Sequence, residues 1–329
     1  MTLAFFRKSE GEVVSGGVAR KSRPTLGLAL GAGVARGWAH IGALQELSDM
    51  GVVPDIIVGA SIGAVVGGCF AAGRMDGLED FARSLTKRSV FSLLDVSFSG
   101  RGLIGGDRLR SRLEEAMGAQ RIENLPTRFV AVATEIGSGH EIWLKSGPLV
   151  EAMRASYALP GVFEPVRIGG RWLFDGAIVN PVPVNVARAF GADRVIALAI
   201  GGDSTSGGSA IHDPVSIEDI PENAMEPEPP KPAVGGWRAR ASWMRRAWAG
   251  DNSDAPGLAS VMVNTINITQ DRIMRSRLAG DPPDLLITLK AGKIGLFEFH
   301  RAEELIALGR ATIRRARDDI LEQLDMAPV

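Results

Sequence analysis

The chain has 329 residues, 45% hydrophobic and 23% charged, a composition typical of one large or two small globular α/β domains. The formal net charge of −1 argues against general nucleic-acid affinity, and the single cysteine, Cys69, excludes an internal disulfide framework. Glycine is enriched, at 40 of 329 residues, without the period of collagen, so the positions of the glycines require an explanation.

The N-terminal region, residues 1–23, is polar and ends in basic residues, which predicts a flexible basic arm. Its apolar start is interrupted by Arg7 and Lys8, so we expect no secretion signal. The uncharged run 56–73 reaches the length of a membrane span, but its glycines and Ser61 lower its hydrophobicity. We interpret this run as a buried strand and helix, and expect a cytoplasmic protein, at most peripheral on the inner face of the membrane.

Short apolar runs alternate with helical periodicity from Thr25 onward. The predicted strands are 26–30, 56–58, 128–133, 171–174, 194–200 and 285–289. The predicted helices are 38–50, 62–72, 109–117, 149–156, 184–190, 258–278 and 300–324. Strands that each lead into a helix predict a three-layer α/β/α fold with a central, mostly parallel sheet.

The segment 201–257 departs from this pattern. Its first part, 201–236, is rich in Gly, Ser, Pro and acidic residues, which predicts a disordered insertion because too little apolar surface is available to offset the ordering cost. The remainder of 24–329 is expected to form a single catalytic domain that this insertion interrupts.

The second part of the insertion, 237–249, combines tryptophans with arginines and has no acidic residue. This pattern predicts an amphipathic helix that contacts an anionic lipid interface. The expected contact residues are Trp237, Trp243, Trp248, Arg245 and Arg246. Docking onto the protein's own surface, or onto the acidic stretch just upstream, is the alternative.

The sequence Gly-Ala-Ser-Ile-Gly places Ser61 between a predicted strand and a predicted helix. A serine on such a sharp turn has a strained backbone, and Gly59 and Gly63 provide the small neighbours that the turn needs. Its hydroxyl would lie at a helix N-terminus, where developing negative charge is favoured, as a nucleophile requires. A glycine-rich packing turn is the structural alternative.

A second glycine-rich turn, Gly-Ala-Gly-Val-Ala-Arg-Gly at residues 31–37, follows the first strand. Its backbone N–H groups could form an oxyanion hole or hold a phosphate. In the dinucleotide pattern, Arg36 occupies the place of the last glycine and Asp55 is the best acidic match, so a nucleotide-dependent oxidoreductase remains an alternative. Two such turns on adjacent strands favour a nucleophile with an oxyanion hole, and tight packing is the structural alternative.

The third motif is Asp175 followed by Gly176 at the end of a predicted strand. Its carboxylate could act as the base for Ser61, although Asp-Gly is also a common turn. We interpret the histidines as lying in the insertion, at a helix start, in helix packing and in a loop, and so not as the base. They are, in that order, His212, His300, His40 and His140.

Together these motifs resemble the patatin-like phospholipase family, in particular its bacterial single-domain members. Residues 155–166, Ala-Ser-Tyr-Ala-Leu-Pro-Gly-Val-Phe-Glu-Pro-Val, also resemble the stretch that precedes the Asp-Gly of this family. The resemblance covers residues 25–200 well and the C-terminal helices loosely. It implies a Ser-Asp dyad without histidine, in which Ser61 is the nucleophile and Asp175 the base.

The resemblance also implies a set of supporting residues. The expected oxyanion-hole donors are the amides of Gly31, Gly33 and Val34, and Arg36 would help to fix their loop. The expected support of loop and elbow comes from Gly37, Gly59, Gly63 and Gly176. Val34 and Ala32 stand where the family frequently has glycine, and valine resists positive φ.

The expected function is hydrolysis of lipid acyl esters, of the phospholipase A or lysophospholipase type, through an acyl-enzyme. We expect a lipid substrate, an anionic membrane surface as a partner, and neither nucleic acid, metal nor cofactor. The main alternative is a non-catalytic lipid-binding or membrane-adaptor protein with the same fold.

Overall fold

The computed structural model describes residues 23–89, 107–201 and 258–325. Residues 1–22 of the predicted arm, and residues 202–257 of the predicted insertion with the predicted Trp-rich helix at 237–249, lie outside the described residues. Gly201, the predicted first residue of the insertion, instead ends a strand. Among the helices of the described ranges, none combines the length and the hydropathy that crossing a bilayer requires.

The described strands form a single eight-stranded sheet. They are β1 (Leu26–Leu30), β2 (Ile56–Ala60), β3 (Arg128–Glu135), β4 (Glu141–Leu144), β5 (Val166–Ile168), β6 (Arg171–Asp175), β7 (Arg194–Gly201) and β8 (Leu285–Lys290). The strand order is β5-β6-β3-β2-β1-β7-β8, with β4 also paired to β3. The neighbouring strands in the stretch β3-β2-β1-β7-β8 are parallel to one another. In contrast, β4 and β6 are antiparallel to β3. The predicted mostly parallel sheet is confirmed.

Helices cover both faces of the sheet and complete the three layers. They are α1 (Ala39–Asp49), α2 (Ile62–Ala71), α3 (Met75–Ser84), α4 (Asp107–Met117), α5 (Leu149–Tyr157), α6 (Val184–Ala189), α7 (Leu258–Gly280), α8 (Ala302–Arg315) and α9 (Arg317–Gln323). Successive residues of a strand point to opposite faces, so Ile57 joins the core beneath α1, α2 and α5, whereas Val58 joins the core beneath α6. Both faces of the central strands are therefore buried, as in other parallel sheets.

The structure differs from the prediction at three short elements and one long helix. β4, β5 and α3 were not predicted. The predicted helix 300–324 is divided at Ala316, whose φ of −91° and ψ of 8° lie outside the α-helical region. A helical pattern in the sequence does not reveal such a local break.

Helix α1 follows the first glycine-rich turn and is held closely against α8. A Cβ atom on Gly42 of α1 would fall on the carbonyl oxygen of Ile306, and one on Gly309 of α8 would fall on that of Ala39. The side chain of Glu46 is nearly buried beside these glycines and accepts hydrogen bonds from Arg310 at 3.2 Å and from a second arginine of α8. The packing of α8 thus fixes α1 and the turn that precedes it.

Candidate active site

Ser61 occupies the sharp turn between β2 and α2. Its φ of 57° and ψ of −125° place a non-glycine residue in the left-handed half of conformational space, which indicates stored strain. A Cβ atom on Gly59 would overlap the backbone of Gly63 and Ala64, and one on Gly63 would overlap the carbonyl oxygen of Leu30. Both glycines are therefore needed for the turn to form against the end of β1.

Asp175 is the last residue of β6 and lies beside Ser61. The Ser61 hydroxyl donates to Asp175 Oδ2 at 2.7 Å, and the amide of Ala177 donates to Oδ1 at 2.8 Å. The order β6-β3-β2 and its register explain this proximity, because Ala60, just before Ser61, pairs with Val132 of β3, and Asp175 pairs with the next residue of β3. Burial raises the pKa of Asp175 to about 7, although the hydrogen bonds from Ser61 and Ala177 oppose this shift. Such a carboxylate can accept a proton near neutral pH.

The amides of the turn at 31–37 have different roles. The N–H of Gly31 donates to the carbonyl of Leu198 at 2.9 Å and that of Ala32 to Pro181 at 3.0 Å. The prediction that Gly31 supplies an oxyanion-hole donor is therefore wrong, because its N–H already continues the pairing of β1 with β7. Within the described part of the chain, the N–H groups of Gly33 and Val34 donate to no backbone carbonyl.

Val34 adopts a φ of 52°, an unusual conformation for a β-branched residue. The residues after it are anchored to the segment that follows β8. The amide of Ala35 donates to the carbonyl of Leu296 at 3.0 Å, and Arg36 Nε donates to the carbonyl of Ile294 at 2.6 Å. Arg36 thus lies where it can fix the loop, so the valine conformation is imposed by its surroundings.

The remaining predicted supporting glycines, Gly37 and Gly176, are places of close approach. A Cβ atom on Gly37 would overlap the side chain of Ile62, and one on Gly176 would overlap the carbonyl oxygen of Val132. Each therefore allows one of the three motifs to pack against its neighbour.

None of the described histidines hydrogen-bonds to Ser61 or Asp175. His40 is buried in α1, and its Nε2 lies 2.8 Å from the carbonyl oxygen of Gly31. Burial lowers the pKa of His40 to about 4, so the neutral ring donates to that carbonyl. His140 precedes β4 and is exposed, and His300 lies in a short 3₁₀ helix, Phe299–Arg301, just before α8. His212, which was predicted to lie in the insertion, is outside the described residues.

Sequence reasoning missed three side chains that contact the backbone at these motifs. His40 binds the glycine-rich turn, while the buried hydroxyls of Ser156 and Thr134 hydrogen-bond to the main chain of Ser61 and Asp175 respectively. A pattern could have marked Ser156, because it lies in the stretch 155–166, but nothing in the sequence around Thr134 distinguishes it from other strand residues.

An apolar cleft opens beside Ser61. Its empty space, including the open solvent at its mouth, is about 940 Å³, and no charged side chain of the described residues lines it. The lining includes Val34, Trp38, Phe81, Leu113, Phe163 and Phe299, which come from widely separated parts of the chain. Ser61 lines this cleft, although the residue is only 6% exposed. The described residues contain no cluster of side chains suited to a metal ion.

Asp55, the acidic residue that the dinucleotide alternative requires, lies at the wrong edge of the sheet. It precedes β2 and accepts a hydrogen bond from the amide of Leu26 at 2.8 Å, at the start of β1. The turn at 31–37 follows the other end of that strand, about 16 Å away at roughly 3.3 Å per residue. Asp55 therefore cannot bind a ribose whose phosphates occupy this turn.

Comparisons with known proteins identify relatives that cover most of the chain. The model of the patatin-like phospholipase family matches residues 28–188. An uncharacterized NTE family protein of Mycobacterium tuberculosis is 35% identical over 330 positions, which cover 90% of this chain and 92% of that protein. Patatin-like phospholipase domain-containing protein 6 of Mus musculus is 32% identical over 201 positions, 56% of this chain but 15% of that much longer protein.

Among solved structures, VipD from Legionella pneumophila matches with a TM-score of 0.47 and 15% identity, over 91% of this chain and 67% of that one. The full-length similarity to the mycobacterial protein, and the match of the family model across all three motifs, establish that this chain belongs to the patatin-like phospholipase family.

Proposed function

We propose that the protein is a serine hydrolase that cleaves acyl esters of lipids. The observation that carries this proposal is the 2.7 Å hydrogen bond from Ser61 to Asp175, at the side of a cleft that no charged side chain lines among the described residues. Family membership supports lipid hydrolysis as the general activity. In the proposed roles, Ser61 is the nucleophile, Asp175 is the base, and the amides of Gly33 and Val34 form the oxyanion hole.

The first half of the reaction forms an acyl-enzyme. Ser61 Oγ attacks the ester carbonyl carbon while its proton passes to Asp175 Oδ2, and the carbonyl oxygen becomes an oxyanion that the Gly33 and Val34 amides stabilise. The tetrahedral intermediate then collapses. The bond to the leaving alcohol breaks, and Asp175 returns the proton to that alcohol.

The second half releases the acid. A water molecule gives a proton to Asp175 and attacks the acyl carbonyl, the same amides stabilise the second oxyanion, and Ser61 leaves with the proton from Asp175. One carboxylate serves both halves, which is why a pKa of about 7 suits it: the group must accept and donate a proton in each cycle.

The apolar cleft suits the hydrocarbon chain of the acyl group. Burying a chain there stabilises binding by about 0.8 kcal/mol for each methylene, which favours long-chain substrates over short ones. We therefore propose a phospholipase A or lysophospholipase type of reaction, by a single catalytic domain at 24–329.

Access to an anionic membrane through 237–249 remains a hypothesis. Unchanged binding to anionic vesicles after replacing Trp237, Trp243 and Trp248 by alanine would contradict it.

Acyl release from a panel of phospholipids and lysophospholipids tests the proposal. We expect release by the wild type and a loss on the order of 10³-fold or more for Ser61→Ala and Asp175→Asn, because each removes a member of one functional unit. Binding of these lipids without release by the wild type would favour the non-catalytic alternative. Equal release by all three proteins would remove the proposed mechanism.

A further inference from the structure

Two fully buried hydroxyl groups hold the main chain at the two residues of the proposed dyad. Ser156, at the end of α5, accepts a hydrogen bond from the Ser61 amide at 3.0 Å and donates to the carbonyl of Val132 at 2.6 Å. Thr134, on β3, donates to the carbonyl of Asp175 at 2.9 Å. Both side chains are 0% exposed, so bulk solvent does not compete for these hydrogen bonds.

Strand β3 connects these contacts. In the sheet, Val132 lies opposite Ala60, the residue before Ser61, while Ala133 lies opposite Asp175. The acceptor of the Ser156 hydroxyl and the residue Thr134 are thus two positions apart on the strand between the nucleophile and the base. Contacts with β3 therefore help to set the positions of both Ser61 and Asp175.

The Ser61 side of this arrangement compensates for the strained turn. At a φ of 57°, Ser61 leaves the regular strand conformation, and its N–H points to the Ser156 hydroxyl. Removing that hydroxyl would leave a buried N–H without a partner, which the backbone could avoid only by moving. Any such movement would carry Ser61 Oγ with it.

The Asp175 side is fixed at three points. Its N–H donates to the carbonyl of Ala158 at 3.0 Å, its carbonyl accepts from Thr134, and its Oδ1 accepts from the amide of Ala177. Only Oδ2 is then directed to Ser61. The turn at the end of α5 contacts both dyad residues, through Ser156 and Ala158.

We propose that Ser156 and Thr134 are positioning residues that hold Ser61 Oγ and Asp175 Oδ2 at the distance needed for proton transfer. This inference depends on the proposed hydrolase function. Neither residue is expected to contact the substrate. Their removal should therefore lower kcat and leave KM nearly unchanged, whereas a purely structural role would lower thermal stability without a selective effect on kcat.

The experiment compares Ser156→Ala and Thr134→Val, which remove the hydroxyls, with Thr134→Ser, which retains one. Ser48→Ala is the control, because it removes a helix hydroxyl that donates to Leu44 at 2.9 Å on α1. With a short-chain p-nitrophenyl ester, we expect kcat to fall on the order of 100-fold for the first two variants, with KM changed less than about twofold. Thr134→Ser and Ser48→Ala should remain within about threefold of the wild-type kcat.

Different outcomes separate this inference from the proposed function. Wild-type kcat in Ser156→Ala and Thr134→Val, with an inactive Ser61→Ala, would overturn the positioning role and leave the hydrolase intact. Equal losses in Thr134→Ser and Thr134→Val would also overturn it, because the hydroxyl would then be irrelevant. If Ser156→Ala does not fold, the two Thr134 variants decide the matter. Full activity in Ser61→Ala would remove both proposals.

Discussion

At the residue scale, the protonation of Asp175 should control the rate. Burial raises the pKa of this carboxylate to about 7, and only the deprotonated form can accept the Ser61 proton. We expect kcat/KM to rise tenfold per pH unit below about pH 7 and to reach a plateau above it. A pH profile with a soluble ester measures this, and an acid limb centred near pH 4 would contradict the raised pKa of Asp175.

The same burial should make Asp175 costly for stability. Between its ordinary pKa of 3.8 and its folded-state pKa of about 7, the unfolded state loses the proton while the folded state retains it. The wild type therefore loses stability as the pH rises through this window, and Asp175→Asn does not. The stability of Asp175→Asn relative to the wild type should therefore increase with pH. We expect this difference in the free energy of unfolding to be about 2–4 kcal/mol larger at pH 8 than at pH 4. Denaturant unfolding at both pH values measures the difference, and a pH-independent difference would contradict it.

The residues proposed for chemistry could be named from local motifs, but their partners could not. Ser61 and Asp175 each stand in a short pattern with its own steric logic. That the Gly31 amide is already used depends on Leu198, which is distant in sequence, and the positive φ of Val34 depends on contacts of its loop with Leu296 and Ile294. Such facts arise only when the sheet is assembled.

At the element scale, the contact between α1 and α8 should tolerate no added side chain. A Cβ atom at Gly309 would fall on the carbonyl of Ala39, so Gly309→Ala must separate the helices. We expect Gly309→Ala to lower the free energy of unfolding by about 1–3 kcal/mol. Gly77→Ala on α3 is the control, since a Cβ atom there meets nothing within 4 Å, and it should stabilise by about 0.5–1 kcal/mol. Equal effects of the two substitutions on denaturant unfolding would contradict this account.

Most elements with a clear periodicity were predicted, although the amphipathic helix α3 was missed, and the short strands that depend on their neighbours were not predicted. β1 was predicted with its observed bounds. β2 extends two residues beyond the predicted strand 56–58 and ends at Ala60, just before Ser61. β5 spans three residues and β4 four, too few for an alternating pattern, and both owe their formation to pairing with adjacent strands. The break at Ala316 has no glycine or proline to mark it.

At the scale of the whole molecule, the cleft should select substrates by chain length. Its walls come from residues between Val34 and Phe299, so only the complete fold forms it, and the sequence did not predict it. Val65 lines the cleft one turn after Ser61, and Val65→Phe should narrow it. We expect this variant to lose roughly tenfold or more on long-chain esters while keeping most activity on acetate esters.

Val53→Phe is the matched control for chain-length selection, since Val53 is 54% exposed and does not line the cleft. Steady-state rates across a series of p-nitrophenyl esters compare the two variants. Identical chain-length profiles for Val65→Phe and the wild type would show that acyl chains do not occupy the cleft.

The central claim is that Ser61, activated by Asp175, is the nucleophile. Mass spectrometry of the protein after reaction with a fluorophosphonate tests it most directly, because Ser61 Oγ would displace fluoride and retain the phosphonyl group. We predict one adduct on the peptide that contains Ser61 in the wild type, much slower formation in Asp175→Asn, and none in Ser61→Ala. An adduct on another residue, or equal labelling of Ser61→Ala, would contradict the account.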